Sequence, residues 1–149
     1  MLQTHTVYDH QNVTITYLPD RACLVLDWNG EVDMNTYQSA LEACLEYARA
    51  EGVRYFLVDQ VRLKQVPPEA QGWLVTHWFP AMEAASDALL FFAIVPSQRL
   101  YARIASNKTA HQVRQSSEKS KVHYFRDVAA AQAWLTEQAS EKIKSNAGA

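Results

Sequence analysis

Glycine is scarce in this 149-residue chain, occurring only at Gly30, Gly52, Gly72 and Gly148. None are close enough to build a G-x-G-x-x-G or Walker loop, so phosphate cradles of those kinds are excluded. There is no G-x-S-x-G elbow to present an acyl-transfer serine. Cysteine occurs twice, and Cys23 and Cys44 both lie in apolar periodic segments. They read as small core hydrophobes and suit a reducing cytoplasm, rather than a disulfide framework. The five histidines (His5, His10, His77, His111 and His123) form no pair with metal-ligand spacing, so no metal is expected. Long apolar runs are missing too. The longest, Ala88 to Val95, is far too short to span a bilayer. The opening "MLQTHTVYDH" has no basic patch leading into an apolar stretch, as a signal peptide would. A net charge of −2 gives no global field for nucleic acid or anionic membrane. These absences lead to the expectation of a soluble cytoplasmic protein without cofactor, membrane span or nucleic-acid partner.

What is present is a regular alternation of apolar patterns. "VTITYL" (Val13 to Leu18) alternates with the two-residue period of a half-buried strand. Pro19, Asp20 and Arg21 supply turn chemistry, and "ACLVLDW" (Ala22 to Trp28) returns as the second arm of a hairpin. Gly30 then frees the chain to turn. Tyr37, Ala40, Leu41, Cys44, Leu45 and Ala48 recur at helical spacing. Asn35 with Gln38 offers a capping box at the start, and Gly52 a left-handed stop at the end. "VRYFLVD" (Val53 to Asp59) and "LLFFAIV" (Leu89 to Val95) are apolar on successive residues, as parallel strands covered on both faces are. Between them a helix should open at Pro68, carry Ala70, Trp73, Leu74, His77 and Trp78 inward, and end or kink at Pro80. Ser97 can cap a third helix and Asp127 a fourth, the latter facing inward with Val128, Ala131, Trp134 and Leu135. "KVHYF" (Lys121 to Phe125) is a short last strand. The order β-β-α-β-α-β-α-β-α predicts an α/β fold. Its sheet should be mixed and mostly parallel, of about five strands, with an N-terminal hairpin and four helices. One domain is expected over residues 1–138, with a polar, frayed tail over 139–149.

Charge is unevenly spread. From Ser97 to Arg126 there are seven basic residues against the single acid Glu118, leaving the remainder acidic. Arg99, Arg103, Asn107 and Arg114 fall close together on a helical wheel, which reads as a solvated face or as a contact stripe for an acidic partner. His77 reads either as a core-edge histidine or as a pocket residue able to exchange a proton near neutral pH. Trp73, Trp78 and Phe79 read either as core or as pocket lining. No nucleophile or fixed acid adjoins His77 in sequence, so no catalytic residue is expected, a pairing with Asp59 being the one enzyme alternative.

The element order, with "YFLVDQ", "PPEAQGWL" and "YFRDVAAAQAWL", resembles the STAS domain superfamily, the anti-sigma-factor-antagonist-like domains related in fold to lipid-binding CRAL-TRIO domains. The resemblance covers about Val13 to Leu135 and looks closest to short single-domain bacterial members. In signalling members a strand ends in Asp, and a hydroxyl at the opening of the next helix is phosphorylated. Here Asp59 matches the strand-end Asp, but Pro68 takes the phosphoacceptor place. No serine or threonine lies between Asp59 and Thr76. The resemblance therefore implies a non-enzymatic interaction or regulatory module without the phosphorylation switch. Its expected contact surface is the loop Gln60 to Val66 and the start of the second helix. Candidate contact residues are Asp59, Gln60, Glu69, Trp73, His77, Arg99 and Arg103, with another protein or a second copy of the chain as partner. A homodimer would cover the edge strand Val13 to Leu18. The CRAL-TRIO relationship and the apolar aromatics support the alternative, a carrier or sensor of a small apolar or lipid-like ligand.

Overall fold

The computed structural model describes residues 3–101 and 118–147, with side chains described as far as residue 140. The strands are β1 (His5–His10), β2 (Val13–Leu18), β3 (Cys23–Glu31), β4 (Tyr55–Gln65), β5 (Leu90–Val95) and β6 (Ser120–Tyr124). They lie side by side in sequence order. β1, β2 and β3 form an antiparallel meander, and β3 to β6 pair in parallel. The expected mixed, mostly parallel α/β sheet with its hairpin is thus present. The β2–β3 turn closes through Arg21 N–H to Leu18 O at 3.1 Å.

β1 adds a strand that the apolar pattern hides. Its register slips between Thr6 and Tyr8, a bulge that breaks the two-residue period. Because β1 pairs along β2, Val13 to Leu18 is an inner strand and not the edge that a second copy was expected to cover.

Helix α1 spans Met34–Glu51. Its N-cap is Asp33, whose carboxylate accepts from Thr36 N–H at 2.7 Å, and not Asn35, which already lies inside the helix. Gly52 ends it in the left-handed region at φ 67°, as expected. Strand order explains where the helices lie. Successive parallel connections step the same way along the sheet, and equal handedness puts their helices on one face. α1 and the second helical rod accordingly pack with Leu24, Leu26, Phe56, Phe92 and Val122. The opposite residues of the same strands, among them Tyr55, Leu57, Phe91 and Ala93, are covered by α4 (Val128–Ala147) through Ala131 and Leu135. Asp127 caps α4, accepting from Ala130 N–H at 2.8 Å.

The two-sided core settles the cysteines. Cys23 belongs to the α4 side and Cys44 to the α1 side, so the sheet separates them. Burial pushes the Cys23 thiol up to about 12, and raises Cys44 as well, so neither is a ready nucleophile.

Four boundaries depart from the pattern. β4 runs to Gln65, so Gln60 to Gln65 is strand, and the contact loop expected there does not exist. It pairs with the far end of β3, where Gly30 remains in the strand at φ 68° and does not end it. The second helix passes through Pro80 and reaches Ala84 as α2 (Pro68–Trp73), a π-turn (Leu74–Trp78) and α3 (Phe79–Ala84). α4 continues through the polar segment expected to fray, because no glycine or proline precedes Gly148 to stop it. Ser97 accepts from Leu100 N–H at 3.2 Å as a cap should, and a helical turn follows over 98–101. The rest of the expected third helix lies outside the described residues. No helix among the described residues is long and apolar enough to cross a membrane.

Candidate ligand cavity

The π-turn sets the geometry of the site. A proline at position 80 has no N–H for the carbonyl one turn back, and its ring collides with that carbonyl in a regular α-helix. The chain instead takes one residue more per turn here, and Phe79 N–H bonds Leu74 O. The Thr76 hydroxyl donates to Gly72 O at 2.7 Å, satisfying a carbonyl next to the wider turn. The extra residue rotates the remainder of the rod. Trp78 and Met82 swing onto the sheet and are 4% and 2% exposed, while His77 is carried out to solvent.

Trp78 is then pinned. Its indole N–H donates to Leu41 O of α1 at 2.7 Å, and its ring meets Phe92 edge-on at 5.9 Å. Phe79 meets the same Phe92 ring edge-on at 5.1 Å, and Phe92 stacks on Phe56 at 4.7 Å. Such edge and offset contacts fix rings beyond what area burial does.

Between this rod and the sheet lies a cavity of about 490 Å³. That falls in the range of roughly 300–1,000 Å³ typical of small-molecule sites. Leu26, Phe56, Val58, Phe92, Ile94 and Val122 form the floor. Leu74, Val75, Trp78 and Phe79 form the roof, and Leu41 and Tyr37 of α1 close one side. Gln71 and Val75 are exposed as well as lining, so they mark the mouth. Besides Gln71 at the mouth and Tyr37 at the side, polar groups stand at the two ends. Toward the C-terminal ends of the strands stand Gln60 and Tyr124. At the N-terminal end the buried Ser120 donates to Glu83 Oε2 at 2.7 Å. Burial raises the Tyr37 phenol to about 12 and raises Tyr124 too, so both stay neutral donors over the ordinary pH range.

Of the residues singled out from sequence, Gln60 lines the cavity. Asp59 alternates to the other face, where its Oδ1 accepts from Val61 N–H at 3.1 Å. Its register neighbour Asp27 is held by Arg62 at 2.7 Å. Glu69 is exposed in the first turn of α2. Trp73 packs edge-on against Tyr37 at 6.2 Å, behind the cavity wall. His77 is exposed, with Nδ1 2.8 Å from Thr76 Oγ1, on the opposite side of the sheet from Asp59. The two therefore form no acid–base pair. Arg99 is exposed in the 98–101 turn, and Arg103 lies outside the described residues. Pattern reading missed Tyr37, Glu83, Ser120 and Tyr124. The signal for two of them was there: Ser120, Val122 and Tyr124 alternate on one face of the last strand. Among the described residues no group of His, Cys, Asp and Glu could hold a metal ion.

No family model, no curated protein and no solved structure matches this chain.

Proposed function

We propose that this protein binds a small, predominantly apolar molecule in the cavity beneath the second helical rod, as a carrier or sensor and not as a catalyst. The observation that carries this is the cavity itself, with a floor and roof of apolar side chains and few polar groups around them. A domain of this size ordinarily closes such a volume with side chains, since interiors pack like organic crystals. Set beside the STAS resemblance, the reading is of a module whose input is a bound ligand in place of a phosphoryl group. The helix does start at Pro68, where a signalling STAS domain needs its hydroxyl. Native mass spectrometry of the purified protein, with thermal shift across a library of small apolar compounds, tests the proposal. A ligand at a hundred times its Kd stabilises by about 2.7 kcal/mol. Bound apolar mass or such shifts are expected. No bound mass and no shift across the library would refute it.

The interaction reading keeps one supporting observation. β5 pairs with β4 only as far as Asp59, so among the described strands Gln60 to Gln65 has a partner on its β3 side alone. Val61 in that stretch is 45% exposed. A strand edge of this kind can take an added strand from another chain. Lys64→Pro would remove one backbone donor from the segment. If the edge is used, self-association or partner capture falls in that variant while the fold is kept; unchanged capture would count against it.

A further inference from the structure

Resting on the ligand-cavity reading, we propose that the cavity selects apolar ligands with a hydrogen-bond-donating end, a primary amine or alcohol, and rejects carboxylates, through Glu83 and Ser120. Glu83 is the only charged residue among the described lining residues, and no lysine, arginine or histidine is among them. Its carboxylate is fixed over the floor by Ser120, whose hydroxyl proton is spent on Oε2. That end of the cavity therefore offers acceptors: the remaining lone pairs of the carboxylate and those of the serine oxygen. An ammonium or hydroxyl supplies the missing protons, the ammonium as a charge-assisted bond. A carboxylate placed there brings a like charge into apolar surroundings with no proton to share, which is strongly disfavoured.

The length of the ligand follows from the strand. Ser120 and Tyr124 mark the two ends on one face of β6. Four residues of strand span roughly 13 Å. A straight chain of about eight carbons with a donor at Glu83 reaches toward the neutral Tyr124 and Gln60 end.

Titration of the whole protein with octylamine, 1-octanol and octanoate, followed by calorimetry or melting temperature, tests this. Octylamine and 1-octanol should bind, and octanoate at least ten times more weakly than octylamine. In Glu83→Gln, whose amide oxygen can still accept from Ser120, the amine should weaken about tenfold and its advantage over octanoate should shrink, because the charge that favours an ammonium and repels a carboxylate is gone. Octanoate binding the unaltered protein as tightly as octylamine overturns the selectivity and leaves the cavity reading standing. An unchanged ratio of amine to carboxylate affinity in a folded Glu83→Gln overturns it equally. If none of the three binds, the cavity reading itself falls, and the selectivity with it. The comparison within the unaltered protein decides the matter even if the variant does not fold.

Discussion

At the residue scale, two glycines with the same backbone angle should behave differently. Gly30 and Gly52 both sit in the left-handed region, at φ 68° and 67°. A Cβ on Gly52 meets nothing within 4 Å, while one on Gly30 stands 3.1 Å from Asn12 Nδ2. That amide donates to Asn29 O, so moving it disturbs the contact joining the β1–β2 turn to β3. Gly52→Ala should cost about 1–2 kcal/mol, the usual left-handed penalty, and Gly30→Ala more, as read from urea unfolding. Equal costs would show that Asn12 yields freely. Asp33 makes a second prediction. Its hydrogen bonds to Thr36, led by the backbone N–H, hold its carboxyl below the usual carboxylate range. A lowered folded pKa stabilises above the unfolded value of about 3.9 and is lost as pH falls through the folded one. Asp33→Ala should therefore lower the melting temperature near neutrality, and the gap to the parent should close in acid. Caps of this kind are legible in sequence where one candidate stands alone, as at Gly52, Ser97 and Asp127. At the start of α1 the capping-box pattern points to Asn35, while the cap is Asp33 two residues earlier, set by backbone geometry that composition does not carry.

At the element scale, the π-turn acts as a one-residue insertion in a helix. Removing one residue from it should restore α-helical bonding and leave Trp78 and Met82 facing the sheet. Deletion of Val75, which is 62% exposed, should therefore be tolerated. Deletion of Ala43 from α1 should not, because it turns Cys44 and Ala48 (0% and 4% exposed) or the preceding stripe away from the core. Melting curves should show the Ala43 deletion unfolded or more than about 4 kcal/mol less stable, and the Val75 deletion close to the parent. Similar losses would mean that the wide turn is not an insertion. Strand β2 and helix α1 were readable because each keeps one period throughout, and β5 and the first half of β4 because they are apolar on successive residues. β1 was not, since its bulge interrupts the period. His77 was placed on the apolar stripe for a related reason: counting at 3.6 residues per turn does not hold inside a π-turn, where His77 lies.

At the scale of the molecule, pattern reading reached the sheet and its cover but only the rim of the site. Apolar periodicity marks what faces inward without saying whether the space there is filled. Trp78, Phe79 and Phe92 would look the same in a solid core. Emptiness is a property of how the second rod sits, held by the Trp78 bond to Leu41 and by edge contacts on Phe92. Polar residues such as Ser120 and Glu83 come together from segments far apart in sequence, so no local motif announces them. The most direct test is a fluorescence titration with the uncharged probe N-phenyl-1-naphthylamine, run on the parent and on Val58→Trp. That substitution places an indole on the cavity floor. Saturable one-to-one binding in the parent, weakened at least tenfold in a Val58→Trp protein of unchanged melting temperature, is the expected result. Absence of saturable binding in the parent, or equal binding by the filled variant, would contradict a ligand-binding role for the cavity.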